Sequence, residues 1–259
     1  MKNNIALLEK MFLETSVFID KSETNFFLFL FKQPSSQLSK LSKNFLHEKI
    51  VSNNINLTSN NDLNNIFMNI IKKNSFDCFF KKTIDYIVYE TNYLHTNANN
   101  IDCLTYFYYL LNIHRYKNTY LSSKHINYII NHSNLKHRDN RKHNAFGFII
   151  ESISYGLCQS VTKKSFDKLF NESDLKTKNI NYTNNYLLLL FHLYANKDNI
   201  EKYFDNNICK NIIDNIDRKT SSLFQESLAS FDMLSNIDLY HHLKNELNQN
   251  ICQKNIIKI

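Results

Sequence analysis

Glycine and proline are almost absent from this chain, which contains two glycines and one proline among 259 residues. Tight β-turns depend on these residues, because glycine reaches positive φ angles and proline fixes φ near the value of a turn. A sheet built from hairpins would therefore lack its turns, although the abundant Ile, Tyr and Phe favour strands by propensity alone. The scarcity indicates an all-α fold.

Apolar periodicity supports helices along the whole chain. Apolar residues recur at the i, i+3 and i+4 spacing that places them on one helix face. Two such stripes are Phe146, Ile150, Ile153, Leu157 and Val161, and Ile200, Phe204, Ile208 and Ile212. The segments 104–113 and 186–194 are apolar nearly all round, so we expect both to lie inside the protein.

Helix breaks are marked by Asn, Ser, Thr and Asp, whose side chains cap helix N-termini. Ser122, Thr183 to Asn185, and Ser235 are examples. Helix pairs drawn in this way begin near 60, 101, 143, 182 and 220, an interval of roughly 40 residues that is typical of helical repeats. The spacing predicts stacked helical hairpins, either an α-solenoid of the HEAT or armadillo type or a closed α/α toroid, and an irregular helical bundle is the alternative.

The domain organisation follows from the same spacing. No break in composition divides the chain, so we expect one domain over 1–259. Its parts are N-terminal helices in 1–58, helical hairpin repeats in 59–250 and a tail in 251–259.

The basic charge has two interpretations. The net charge is +7 and the residues that AT-rich codons encode are abundant, including 27 Lys against only four Arg. A solvated lysine-rich surface in an AT-rich genome explains this, and an anionic partner such as nucleic acid is the alternative.

Cysteine usage and the chain start bear on the compartment. The five Cys show no CxxC spacing and fall mostly in apolar helical patterns, which favours buried reduced thiols. Glu9 and Lys10 interrupt the apolar start, and no apolar run reaches the roughly 18 residues of a membrane span. We therefore expect a cytoplasmic protein without a membrane span.

Common catalytic and cofactor motifs are missing from the sequence. Glycine-rich phosphate loops, HExxH and GxSxG do not occur. Asp238, His242 and Glu246 share a helix face at metal-ligand spacing, but a row of helix-stabilising side chains explains them better, so we expect neither a metal nor a cofactor. His192, inside an apolar run, is interpreted as a core histidine bonded to a hydroxyl and not as a general base.

One window stands out against the composition, because two of the four Arg and both Gly fall within 138–156. A basic connector over 135–143 leads into the helix that holds Gly147 and, in this interpretation, Gly156. Arginine binds carboxylate or phosphate with two parallel hydrogen bonds, and a helix N-terminus adds a positive dipole end. The connector is the leading candidate for a partner-binding or anion-binding site, with a solvated loop as the alternative. Its candidate residues are His137, Arg138, Arg141, Lys142 and His143.

A second aromatic and basic cluster lies over 106–116. Its members are Tyr106, Tyr108, Tyr109, His114, Arg115 and Tyr116. With the connector it could line a groove that grips a peptide or stacks bases, whereas core packing of the tyrosines is the simpler explanation. His114 and Arg115 complete the set of candidate site residues.

These patterns favour a non-enzymatic helical scaffold that binds a protein or peptide partner along a groove. One alternative is an enzyme or small-molecule binder with a central cavity in an α/α ring. The other is nucleic-acid binding through the connector at 136–143.

Overall fold

The computed structural model describes residues 41–52, 55–56, 62–176, 185–186, 188–189, 192 and 197–215. This part of the chain is α-helical, as predicted, and it contains no β-strand; an isolated bridge joins Thr96 to Asp102. The helices are α1 (Lys43–Val51), α2 (Ile66–Lys73), α3 (Lys81–Glu90), α4 (Cys103–His114), α5 (Ser123–His132), α6 (Ala145–Ser154), α7 (Lys163–Glu172), α8 (Lys197–Ile200) and α9 (Asn206–Asn215), with 3-10 turns at Phe76–Cys78 and Glu201–Tyr203. No helix in these ranges is both long and apolar enough to cross a membrane.

The helices pack alternately in two layers. In the first layer α1 contacts α3, α3 contacts α5 and α5 contacts α7. In the second layer α2 contacts α4, α4 contacts α6 and α6 contacts α8. From α1 to α7, each helix therefore packs against the helix two places along the chain, and contacts between α2 and α3 join the layers.

Polar side chains cap several of the described helices at their N-termini, whereas Phe80 before α3 forms no such bond. Ser42, Ser122 and Thr162 begin first-layer helices, and each side-chain oxygen accepts the backbone N–H three residues further on. Asn65 and Asp102 cap α2 and α4 in the same way. The cap at Ser122 was predicted from the sequence, and the predicted starts near 60, 101 and 143 correspond to helices that begin at 66, 103 and 145.

Left-handed residues end the second-layer helices. Asn74, Arg115 and Gly156 have φ angles of 47°, 53° and 67° and follow α2, α4 and α6. Such a residue closes a helix because its N–H and the next N–H bond to carbonyls of the last turn. The expectation that Gly156 lies within a helix is wrong, since α6 ends at Ser154 and the positive φ suits a glycine at the helix end.

The core runs between the two layers. Nearly all of α4 is buried, as its apolar sequence predicted, and Tyr108 lies there with its hydroxyl 3.7 Å from the sulfur of Cys158. Cys78, Cys103 and Cys158 are buried free thiols. Burial raises the pKa of Cys78 to about 11 and shifts the pKa of the other two in the same direction, so all three stay protonated at neutral pH.

Side-chain pairs join successive helices of the first layer at equivalent positions. His47 Nδ1 lies 2.9 Å from Thr83 Oγ1 between α1 and α3. His125 Nε2 lies 2.8 Å from Asp85 Oδ1 between α3 and α5. These pairs join residues 36 and 40 apart in the chain.

A third pair has the same position at the next interface. The Ser165 hydroxyl donates to Asn127 Oδ1 over 2.9 Å between α5 and α7, across 38 residues. In each of the three pairs, the residue three places after an N-cap meets the residue five places after the preceding N-cap. The first-layer helices are therefore held in one common register.

Several expectations fall on residues outside the described ranges. These are the cap at Ser235, the helix pair near 220, the row Asp238, His242 and Glu246, and most of the N-terminal segment. Of the apolar run at 186–194, the described residues Tyr186, Leu188, Leu189 and His192 are helical, as is Asn185 before it.

Candidate functional site

The basic connector folds as a turn that copies the turn one helix pair earlier. Asp139 accepts the backbone N–H groups of Arg141 and His143 at 2.8 Å. Asn97 accepts those of Asn99 and Ile101 in the preceding turn. Left-handed residues, Asn100 and Lys142, occupy the same place in the two turns, so the connector and the preceding turn share one backbone conformation.

Most polar groups of the connector are engaged within the protein. The ring of His137 donates from Nε2 to the carbonyl oxygen of Asn100 over 2.8 Å, because a carbonyl can only accept. Arg138 forms an ion pair with Asp174, and His143 Nδ1 lies 3.4 Å from the Asp139 carboxylate. His137 and Arg138 therefore hold the connector to the neighbouring turns, and His143 lies beside Asp139 within the connector itself.

Arg141 and Lys142 are exposed, and no described residue forms an ion pair with either side chain. The N-terminus of α6 that follows them lacks the side-chain cap found on α1, α2, α4, α5 and α7. Asn144 does not bond to the first turn of α6. Instead its amide nitrogen donates to the Asp174 carbonyl over 2.8 Å, and its oxygen accepts from Asn185 over 3.0 Å.

His114 and Arg115 lie at the opposite end of the same layer. The connector borders the turn before α4, where the Asn100 side chain donates to the Arg138 carbonyl over 3.1 Å. Arg115 follows the last residue of α4, a helix of 12 residues and therefore about 18 Å long. The structure thus separates the seven predicted site residues into two groups at opposite ends of α4 and α6.

Aromatic contacts run along the second layer between the two groups. The ring of His143 lies 5.9 Å from that of Phe148, which lies 5.6 Å from that of Tyr109. Tyr109 is half-buried, whereas Tyr106 and Tyr108 are buried in the core. Core packing therefore accounts for two of the clustered tyrosines, and Tyr109 faces α6.

At the carboxyl ends of α4 and α6, two neighbouring helix pairs meet in an exposed surface that we call the Arg115 patch. The patch consists of Ile113, His114, Arg115, Tyr116 and Tyr155. The Arg115 guanidinium carbon lies 4.0 Å from the centre of the Tyr155 ring. The rings of His114 and Tyr116 stack at 5.1 Å. Ile113 is 54% exposed and Tyr155 is 43% exposed, which is high for large apolar side chains.

A buried polar network lies directly beneath the patch. Asn112 donates to the Phe148 carbonyl over 2.9 Å and to the Glu151 carboxylate over 3.1 Å. The Ser152 hydroxyl donates to the side-chain oxygen of Asn112. Burial raises the pKa of Glu151, while the nearby Arg115 lowers it. No ion pair joins these two residues in the described part of the chain.

His192 is a core residue, in agreement with its interpretation from the sequence. It is 3% exposed, and its Nδ1 atom lies 2.9 Å from the Ser154 hydroxyl. Burial lowers its pKa to about 4, with a smaller contribution from Arg115. The ring is therefore neutral at neutral pH.

Sequence reasoning missed Ile113 and Tyr155 as surface residues. The signal for Tyr155 was the following glycine, which as a left-handed helix end places Tyr155 on an exposed terminus. For Ile113, the position near the end of an otherwise buried helix gave no comparable signal. Within the described residues, no cluster of His, Cys, Asp or Glu could hold a metal ion.

Comparisons of the chain with protein-family models, with curated proteins and with solved structures found no match.

Proposed function

We propose that this chain is a non-enzymatic scaffold of stacked helix pairs that binds a protein or peptide partner. The observation that carries the proposal is the Arg115 patch, where Arg115 at the end of α4 lies over the exposed ring of Tyr155 at the end of α6, and Ile113 is exposed two residues before Arg115. Exposed large apolar side chains next to an arginine are typical of a protein-interaction site, because Tyr and Arg are enriched among the residues that dominate binding energy.

The repeat arrangement is supported by contacts that recur once per helix pair. Left-handed helix ends recur at Asn74, Arg115 and Gly156. The paired side chains of the first layer join residues 36 to 40 apart at each of three successive interfaces. Stacked pairs of this kind present equivalent positions of successive units on a common surface. The Arg115 patch is such a surface, since its two halves come from the ends of α4 and α6.

The connector supports nucleic-acid binding less well than its composition suggested. Arg138 is already paired with Asp174, His137 bonds to the preceding turn, and His143 lies beside Asp139 within the connector. A nucleic-acid surface needs several cations free to contact phosphates. A protein partner therefore fits the described surface better.

The test is retention of proteins from an extract of the native cells by the immobilised full chain, with and without nuclease. We expect a protein that survives nuclease, is lost from an Ile113→Ser/Tyr155→Ser variant, and is kept by an Arg141→Ala variant. Circular dichroism of both variants controls for folding. Retention that disappears with nuclease, or that ignores the patch, would contradict the proposal.

A further inference from the structure

We propose that the Arg115 patch binds a peptide segment in which a carboxylate side chain, Asp or Glu, lies next to an aliphatic or aromatic residue. The carboxylate would bond to the Arg115 guanidinium and the apolar residue would cover Ile113 and Tyr155. This inference rests on the proposed function and names the chemistry of its partner.

The orientation of Arg115 is the first argument. Its guanidinium lies 4.0 Å over the Tyr155 ring, and stacking of this kind uses the face of the group while leaving its N–H donors free at the edge. No described carboxylate forms an ion pair with it, whereas Arg138 is paired with Asp174. Arg115 is therefore held in place with its hydrogen-bond donors available.

The nearest carboxylate is engaged elsewhere. Glu151 Oε2 accepts from Asn112 Nδ2 over 3.1 Å and faces the buried network beneath the patch. An anion that matches the planar donor edge of Arg115 has to come from outside the described residues, and a carboxylate fits two parallel N–H donors.

The backbone at Arg115 is the second argument. Its φ of 53° is a left-handed conformation, which favours Gly and Asn over other residues. The equivalent helix ends carry those two residues, Asn74 and Gly156. Arginine stands here against the local preference, in a chain that has only four arginines. Its presence is explained by a role of the side chain and not by the turn.

The apolar neighbours favour a peptide over a polyanion. Ile113 and Tyr155 stay largely exposed beside the single arginine, and the ring of His114 is already stacked on Tyr116. Nucleic-acid surfaces carry a row of cations for successive phosphates. One arginine stacked on an exposed tyrosine, with an exposed isoleucine two residues away in the chain, matches one carboxylate beside one apolar residue.

The experiment is a selection from a random dodecapeptide phage library on the full-length protein, followed by affinity measurements with synthetic copies of the enriched peptides. The test variant is Arg115→Gly, which removes the charge while suiting the left-handed backbone. The matched control is Arg141→Ala, which removes another exposed arginine at the opposite end of the layer. Binding of a single-stranded dT20 oligonucleotide is measured on the same three proteins.

We expect enriched peptides to share an Asp or Glu within two positions of an aliphatic or aromatic residue. Their affinity should fall about tenfold or more in Arg115→Gly and stay unchanged in Arg141→Ala, because interface arginines commonly dominate binding. Enriched peptides without a shared acidic residue, or binding that ignores Arg115→Gly, would overturn this inference and leave the proposed function standing. Enrichment of no peptide at all, or dT20 binding that is lost in Arg115→Gly, would overturn both.

Discussion

The Nδ1 atom of His192 lies 2.9 Å from the hydroxyl oxygen of Ser154, on the buried side of α6. The end of α6 forms one half of the Arg115 patch. Burial lowers the pKa of this imidazole from 6.5 to about 4. In the unfolded chain the ring binds a proton below about pH 6.5, whereas in the folded protein it stays neutral until about pH 4. The link between protonation and folding is therefore measurable.

The prediction is a loss of stability between pH 6.5 and 4 that depends on His192. Above that window the ring is neutral in both states and contributes no pH dependence. Within it the unfolded state binds more protons, so the free energy of unfolding falls by at most about 1.4 kcal/mol per pH unit. Urea unfolding of wild type and His192→Gln across this range checks it. Parallel pH curves for wild type and His192→Gln would contradict the prediction. Burial raises the pKa of Glu151, which has the opposite effect on stability, and the comparison of the two proteins cancels that effect.

Gly156→Ala should destabilise the protein by about 1 kcal/mol, because alanine is strained at positive φ. The φ of Gly156 is 67°, and an added Cβ would meet the Asn199 side chain at an ordinary 3.6 Å, so the cost comes from the backbone and not from a clash. Gly156→Asn should cost less, since Asn74 occupies the equivalent helix end. Thermal unfolding of the three proteins measures the order. A larger loss in Gly156→Asn than in Gly156→Ala would assign the cost to side-chain volume and contradict the backbone explanation.

Asn112→Ala should cost about 2–3 kcal/mol, because it leaves the buried Ser152 hydroxyl without its acceptor and removes a donor from Glu151. A double-mutant cycle with Ser152→Ala isolates the contact between the two side chains. We expect the double variant to lose less than the sum of the single losses, as measured by urea unfolding. Strict additivity would show that the two residues stabilise the protein independently.

His137→Ala should lower the free energy of unfolding by about 1 kcal/mol, the usual net contribution of a hydrogen bond, here the one to the Asn100 carbonyl. Arg141→Ala in the same turn should change it by less than about 0.5 kcal/mol, because that side chain is exposed. Chemical unfolding of both variants tests the structural role of His137. A larger effect at Arg141 would reverse the assignment.

The helices themselves were predictable because their signals are local. Ser122 predicts the start of α5, and the apolar sequence over 104–113 predicts a buried helix, which the structure shows as α4. Caps and periodicity depend on residues a few positions apart, so a single sequence contains all that they need.

The contacts between neighbouring helix pairs were not predictable from the sequence, because different residues fill equivalent positions. Asn74, Arg115 and Gly156 share a backbone conformation and no side-chain chemistry. The pairing of Arg138 with Asp174 spans 36 residues and is visible only once the turns lie side by side. For the same reason the connector was the leading candidate from sequence, whereas the structure leaves Arg115, the more modest candidate, without an ion-pair partner in the described part of the chain.

The polar pairs of the first layer match each of its helices to one particular neighbour. His47 meets Thr83, Asp85 meets His125, and Asn127 meets Ser165. If α5 packed against α1 in place of α3, His125 would face another imidazole, and Asp85 would lose its buried partner. A chain that stacked its helices in the wrong order would thus bury mismatched groups, at the cost of unpaired donors and acceptors. Complementary side chains at each interface therefore favour the observed order of helices in the first layer.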